Sequence, residues 1–176
     1  MKKSFIKTIT IICLVCLLML ATLSACKDDI KYNVTHFDNC LLELANDEDI
    51  ARRIDSLDQL TEFCIEKGIP INDKDYTNYD SEICEKLRSY DKKFFKSKSL
   101  IIAVAGDGYP QNLELESLEI RDGLLVLNIS IVINFNLNEY PNTGDWQLYL
   151  IEIKKKSIKD VGKIVVKQED KYISWG

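Results

Sequence analysis

The chain contains a single histidine, which restricts the catalytic chemistry open to its side chains. His36 lies in a polar, acidic stretch near the N-terminus. A general base needs a neighbour that holds its ring within hydrogen-bond distance of the reacting group. Nucleophilic serine or cysteine residues commonly depend on such a base. Because a flexible stretch supplies no fixed neighbour, the sequence predicts no Ser–His or Cys–His catalytic pair.

Two loops have residue types that bind ions or phosphates, but their spacing is unfavourable. An oxygen-rich loop contains Asp73, Asp75, Asn78 and Asp80. An EF-hand needs glycine at its sixth position, and counting from Asp73 that position is Asn78. Gly106-Asp107-Gly108 follows an apolar run without the Gly-Lys-Ser/Thr of a phosphate-binding loop. We expect a solvated helix-entry loop and an ordinary turn, with no metal site and no cofactor.

Carboxylates and aromatic residues provide two weaker candidates. Glu114, Glu116 and Glu119 could be paired carboxylates for glycoside chemistry, but their spacing favours the solvated face of a hairpin strand. Sugar or peptide binding is the alternative to partial burial for aromatic residues in or beside loops, namely Tyr76, Tyr79, Tyr109, Tyr140 and Trp146. The sequence therefore predicts no catalytic residue.

The N-terminal segment has the pattern of a secretion signal. Lys2, Lys3 and Lys7 form a positive end, and no residue from Thr8 to Thr22 is charged. Small residues follow and precede Cys26, which completes the signal-peptide order of charged end, apolar run and cleavage site. A membrane-spanning helix needs about 20 apolar residues, and this run is shorter. The segment therefore indicates a signal peptide rather than a transmembrane helix.

The four residues Leu23-Ser24-Ala25-Cys26 resemble the lipobox of bacterial lipoproteins. This resemblance implies that the Cys26 thiol receives a diacylglyceryl group and that the chain is cut before Cys26. The mature protein would then stay on the outer face of the cytoplasmic membrane. Stable anchoring requires two signals, which two acyl chains provide. A plain cleaved signal peptide is the alternative.

Charge and length limit the classes of partner. The chain has 176 residues and a net charge of −5, and loss of three lysines with residues 1–25 would change that charge to −8. Such an acidic protein is a poor candidate for binding nucleic acid or for adhesion to anionic lipid headgroups. The remaining length fits one domain with a tether.

Three cysteines besides Cys26 would remain in the mature chain. They are Cys40, Cys64 and Cys84, and an odd number leaves at least one thiol unpaired. Three buried thiols are expected, with a Cys64–Cys84 bridge as the alternative. The spacings match no short zinc site.

The pattern of apolar residues predicts an α+β fold. Ser56, with Gln59 three residues on, predicts the N-cap of a helix over 57–67, and a second helix is expected over 82–90. Five strands are expected at 100–105, 113–120, 125–135, 146–153 and 163–167, and residues 50–54 are compatible with a further short strand. We therefore expect two N-terminal helices packed on a mainly antiparallel sheet of four to five strands, preceded by a signal-peptide helix.

These elements divide the chain into four segments. Residues 1–25 are the expected lipoprotein signal peptide, and residues 26–48 are expected to be a lipid-anchored, flexible tether. Residues 49–170 form the expected α+β globular domain. Residues 171–176 are expected to be a C-terminal tail.

Part of the second half resembles small lipoproteins and secreted proteins of Firmicutes. The resemblance rests on the runs Tyr90–Phe95, Ser99–Val104, Leu118–Val126 and Trp146–Lys154. More remotely, this order is similar to the C-terminal domain of protease-complex accessory subunits. The resemblance implies positions for turns and for core residues, and it assigns no activity.

Together these features predict a non-catalytic binding or accessory module on the outer face of the cytoplasmic membrane. Its expected partners are the membrane, through a lipid anchor on Cys26, and an envelope protein. The alternatives are a structural envelope protein without a small ligand and a cell-wall-facing hydrolase.

Overall fold

The computed structural model describes residues 30–38, 51–71, 81–106, 112–134 and 146–173. Within these ranges there are seven strands and two α-helices. Short 3-10 turns lie at Phe94–Lys96 and Lys155–Ile158. The elements in chain order are β1 (Tyr32–Phe37), β2 (Ala51–Ile54), α1 (Leu57–Glu66), α2 (Ser81–Arg88), β3 (Lys98–Ala105), β4 (Asn112–Arg121), β5 (Leu124–Asn134), β6 (Gln147–Lys154) and β7 (Lys163–Ile173).

Four strands form an antiparallel sheet, here called sheet I, in the order β1-β6-β3-β2. Its central strand β3 is apolar without interruption from Leu100 to Ala105. Successive residues of a strand point to opposite faces, so an uninterrupted apolar strand requires cover on both sides. Leu100 and Ile102 belong to one buried cluster, and Ile101 and Ala103 belong to another.

The first cluster, the helix-side core, contains side chains from both helices. Leu60 and Phe63 of α1 and Leu87 of α2 are buried in it with Leu100 and Ile102. Apolar side chains three or four residues apart share one face of a helix. The amphipathic pattern of α1 and α2 therefore supplies one side of this core.

The other three strands form sheet II, in the order β4-β5-β7. β4 and β5 pair as an antiparallel hairpin, while β7 runs parallel to β5. Asp122 and Gly123 connect the hairpin with φ values of 51° and 76°, and positive φ at both residues is what a type I′ turn requires. The pairing shifts between Leu115 and Ser117, where β4 has a bulge.

Sheets I and II enclose the second cluster, the inter-sheet core. Leu125, Leu127 and Ile129 of β5 are buried in it with Tyr149 and Ile151 of β6. The alternate apolar residues of β5 therefore share one face of the strand, and that face lies in this core.

The predicted α+β class and its two helices are confirmed, but the sheet differs from the prediction. One sheet of four to five strands is expected from the sequence, whereas the described ranges contain seven strands in two sheets. The physical reason lies in β3, whose second apolar face is covered by sheet II. The expected signal-peptide helix falls outside the described residues.

Two described strands extend beyond the ends of the segment expected to form the globular domain. β1 lies inside the 26–48 range expected to be a flexible tether, and it pairs with β6 along all six of its residues. At the other end, β7 continues to Ile173, beyond the expected boundary at 170. Main-chain hydrogen bonding to a neighbouring strand orders both segments, although their own side chains are mostly polar.

Candidate functional site

The predicted lipidation motif lies outside the described part of the chain. Leu23, Ser24, Ala25 and Cys26 all precede Ile30, the first residue that the structure describes. Also outside it are Cys40, the oxygen-rich loop at 73–80, and residues 107 and 108 of the predicted turn. The structure therefore describes the domain that follows Cys26 in the chain, and not the motif itself.

His36 lies on β1, opposite Tyr149 of β6. Its side chain is exposed, and the centroids of the two rings are 6.4 Å apart. Among the residues described, His36 contacts no carboxylate that would orient its ring. This arrangement lacks the base-and-orienter geometry of a catalytic histidine.

Tyr149 is buried beside His36 and has a pKa above the ordinary tyrosine range. Its hydroxyl lies 3.1 Å from the Leu113 carbonyl oxygen and 2.7 Å from Gln147 Oε1. Burial is the main cause of the raised pKa, and the negative charges of Asp38 and Glu114 add to it. The phenol therefore stays protonated at neutral pH and donates a structural hydrogen bond.

The three candidate carboxylates on β4 have separate surroundings. Glu114 is exposed, and Glu116 accepts a hydrogen bond of 2.8 Å from Ser130 Oγ. Glu119 accepts one of 2.6 Å from Arg121 Nε. These contacts fit the predicted solvated face of a hairpin strand.

A polar cluster around Glu152 is not predicted by any motif in the sequence. Glu152 Oε2 lies 2.9 Å from Lys98 Nζ, and Oε1 lies 3.3 Å from Lys86 Nζ and 3.4 Å from the Tyr90 hydroxyl. The lysine ammonium groups also lie over aromatic rings, Lys86 over Tyr90 and Lys98 over Phe94. The only signal in the sequence is one acidic residue near the end of an apolar strand.

A second polar cluster connects β2 to the 3-10 turn after β6. The buried Ser99 hydroxyl donates to the Asp55 carboxylate, and Arg53 Nε lies 2.8 Å from Asp55 Oδ2. Lys155 Nζ donates to the Asp55 carbonyl oxygen at 2.7 Å, and Arg53 Nη1 donates to the Ile158 carbonyl oxygen at 2.8 Å. The contacts made by Ser99, Lys155 and the Ile158 carbonyl join the end of β2 to other structural elements, so we assign this cluster a structural role.

Two cysteine side chains lie in the helix-side core. Cys64 and Cys84 are both buried thiols rather than a disulfide. Burial, with a smaller effect from Cys84, raises the pKa of Cys64 to about 12. A thiol with that pKa has almost no thiolate at neutral pH and is a poor nucleophile.

A concave surface lies where the described chain begins. This surface, here called the basic groove, has a volume of about 830 Å³. Ile30 and Lys31 form one side, and the β4–β5 turn and the residues after β6 form the others. Because Tyr32 pairs with Ile153, Lys31 lies next to Lys154 at the end of sheet I.

Cationic side chains predominate in the basic groove. Two acidic residues, Glu119 and Asp160, line it together with five cationic ones, which are Lys31, Arg121, Lys154, Lys156 and Lys159. Both acids are close to cations, Glu119 to Arg121 at 2.6 Å and Asp160 to Lys159 at 3.8 Å. The groove is therefore a positive region on a chain whose net charge is negative.

A smaller groove of about 460 Å³ lies between β2 and the first half of β7. It is lined by residues 51–53 and 161–166. These two strands are edges of their respective sheets.

No group of three or more His, Cys, Asp or Glu side chains in the described ranges is arranged to bind a metal ion. None of the helices described here has the length and apolar character needed to span a bilayer.

Comparison with protein-family models, with curated proteins and with solved structures finds no match to this chain.

Proposed function

We propose that the chain is a bacterial lipoprotein anchored through a diacylglyceryl group on Cys26. It is held on the outer face of the cytoplasmic membrane, where its α+β domain acts as a non-catalytic binding or accessory module. The observation that carries the proposal is the order of a positive end, an apolar run and Leu23-Ser24-Ala25-Cys26. The signal segment forms a helix before cleavage, and the two helices of the domain pack on sheet I.

The start of the domain is compatible with this anchor. Ile30 follows Cys26 by four residues, and β1 begins two residues later at Tyr32. A short connection of this kind would hold the domain at the membrane surface. An envelope protein is the proposed macromolecular partner.

The surroundings of the candidate catalytic groups support a non-catalytic role. His36 is exposed beside a tyrosine that remains protonated, and the carboxylates of β4 have separate neighbours. A hydrolase would need a cleft in which an acid and a base converge on one reacting bond.

Intact-mass analysis of the membrane fraction tests the proposal. The wild-type protein should begin at Cys26 and have the added mass of a diacylglyceryl group. Cys26→Ala should lose both the added mass and the membrane association, because the alanine side chain has no thiol to modify.

Cys40→Ala is the matched control, since it removes a nearby thiol outside the lipobox. It should retain the lipid mass and the cleavage before Cys26. An unmodified wild-type chain, or a lipid mass that persists in Cys26→Ala, would overturn the proposal.

A further inference from the structure

We propose that the basic groove binds the anionic phospholipid headgroups of the membrane in which Cys26 is anchored. This contact fixes the orientation of the domain on the membrane. The inference rests on the proposed lipidation of Cys26 and adds a second, electrostatic attachment to it.

The length of chain between the anchor and the groove supports this contact. Ile30 and Lys31 line the groove, and Ile30 follows Cys26 by four residues. Four fully extended residues span at most about 14 Å. The groove therefore lies close to the lipid surface whatever path the intervening residues take.

The charge of the groove is complementary to an anionic surface. Lys31, Lys154 and Lys156 are exposed, and none of them is paired with a carboxylate in the described ranges. Basic residues near an anionic leaflet are attracted to it over about one Debye length. The rest of the acidic domain is repelled, so the charge distribution turns the groove towards the lipid.

An exposed apolar side chain lies in the same surface. Ile120 lines the groove and is 43% exposed. An exposed isoleucine on a surface that faces the membrane can enter the region between headgroups and acyl chains, where apolar surface is favoured. The combination of lysines with an exposed isoleucine favours a lipid surface over a purely polar ligand.

The open form of the groove argues against a discrete site for a soluble phosphate. Its lysines are exposed chain ends on separate elements rather than buried donors that converge on one point. Such a surface can bind several lipid headgroups at once, each of which neutralises part of its positive charge.

Lysine footprinting on reconstituted vesicles tests this inference. The full lipidated protein is purified from membranes and reconstituted into phosphatidylcholine vesicles with or without phosphatidylglycerol. The acetylation rate of each lysine is then measured by peptide mass spectrometry, at low and at high salt. The intact mass of each preparation is recorded in parallel.

Lys31, Lys154 and Lys156 should react roughly fivefold more slowly on phosphatidylglycerol vesicles at low salt, because headgroups cover them. The exposed Lys93 and Lys167, which lie outside the groove lining, should react at the same rate on both vesicles. High salt should remove the difference, since it screens exposed charges.

A pair of double variants with the same change in net charge provides the control. Lys31→Glu with Lys156→Glu should abolish the protection of Lys154. Lys93→Glu with Lys167→Glu should leave that protection unchanged.

Each other outcome overturns the inference in a distinguishable way. Equal rates on both vesicles, with the lipid mass present on Cys26, would reject the groove contact and leave the anchor intact. Protection by free inorganic phosphate on phosphatidylcholine vesicles would replace it with a soluble anion site. Absence of the lipid mass would overturn the anchor and this inference together.

Discussion

At the residue scale, Glu152 lies at the end of an otherwise apolar stretch of β6 and contacts Lys86 of α2 and Lys98 of β3. Its side chain is 15% exposed. Burial by itself would raise the pKa of Glu152, but the hydrogen bonds and positive charges of Lys98 and Lys86 outweigh it and lower the pKa below 4.5. The ionised carboxylate therefore connects a helix to sheet I.

Glu152→Gln should lower the free energy of unfolding by about 1 kcal/mol at neutral pH, because a charged hydrogen-bond acceptor is lost. A lowered pKa in the folded state stabilises the protein above the unfolded pKa and ceases to do so as pH falls through the folded pKa. The difference between wild type and variant should therefore shrink as the pH falls below about 4. Urea unfolding across this pH range provides the measurement.

Glu85→Gln is the control for Glu152→Gln, since Glu85 is exposed on the same helix that carries Lys86. It should change the unfolding free energy by less than about 0.5 kcal/mol. A stability difference for Glu152→Gln that persists unchanged at low pH would contradict the role assigned to its charge.

At the element scale, α1 begins with the capping arrangement that the sequence predicts. Ser56 Oγ accepts a hydrogen bond of 3.1 Å from the Gln59 backbone N–H. Gln59 Oε1 accepts one of 2.7 Å from the Asp55 backbone N–H, one residue before the usual capping-box donor. Local hydrogen bonds of this kind depend on residues close in sequence, which is why the motif could be predicted.

Replacement of the cap provides the prediction at this scale. Ser56→Ala should destabilise the protein by about 1 kcal/mol, because the Gln59 N–H loses its acceptor. Ser56→Asp should restore most of that loss, since its carboxylate can accept the same hydrogen bond. The urea midpoints of the three proteins at neutral pH measure both effects, and equal midpoints for alanine and serine would show that the cap contributes nothing.

Unlike the start of α1, the strand β1 is not indicated by a local sequence pattern. Asn33, Thr35 and His36 interrupt the apolar character of this segment, and Val34 is 43% exposed. Its order comes from main-chain pairing with β6, more than 100 residues later in the chain. The residues of the segment itself give no indication of that partner strand.

At the scale of the whole molecule, β3 and β6 form the central pair of a layered arrangement. Alternate residues of each strand lie in the helix-side core and the inter-sheet core, for example Leu150 and Ile151 of β6. β1 contributes partly buried side chains at the edge of both clusters, Phe37 to one and Tyr32 to the other. Burial therefore decreases from the middle of sheet I to its β1 edge.

Amide hydrogen exchange should follow this order. Amides of β3 and β6 should exchange only through global unfolding, because opening them exposes both cores. The hydrogen-bonded amides of β1 should exchange at least roughly tenfold faster, through local opening of the edge. Peptide-level exchange measured by mass spectrometry at neutral pH, corrected for intrinsic rates, tests this order, and equal protection of β1 and β3 would contradict it.

Local patterns in the sequence determined the elements with strong periodicity. The cap at Ser56, the hairpin turn at Asp122-Gly123, the bulge before Ser117 and the buried face of β5 all follow from neighbouring residues. The lipobox hypothesis for Cys26 is also local, because a processing signal is read as a linear segment.

Only the tertiary structure decided how many sheets form, that residues 32–37 form an ordered strand, and which residues line the basic groove. Lys31, Arg121 and Lys154 are far apart in sequence and meet because β1 pairs with β6 and because sheet II covers sheet I. The proximity of such residues depends on which strands pair and on the free energy of burying both faces of β3. No local pattern of charge or hydropathy contains that information.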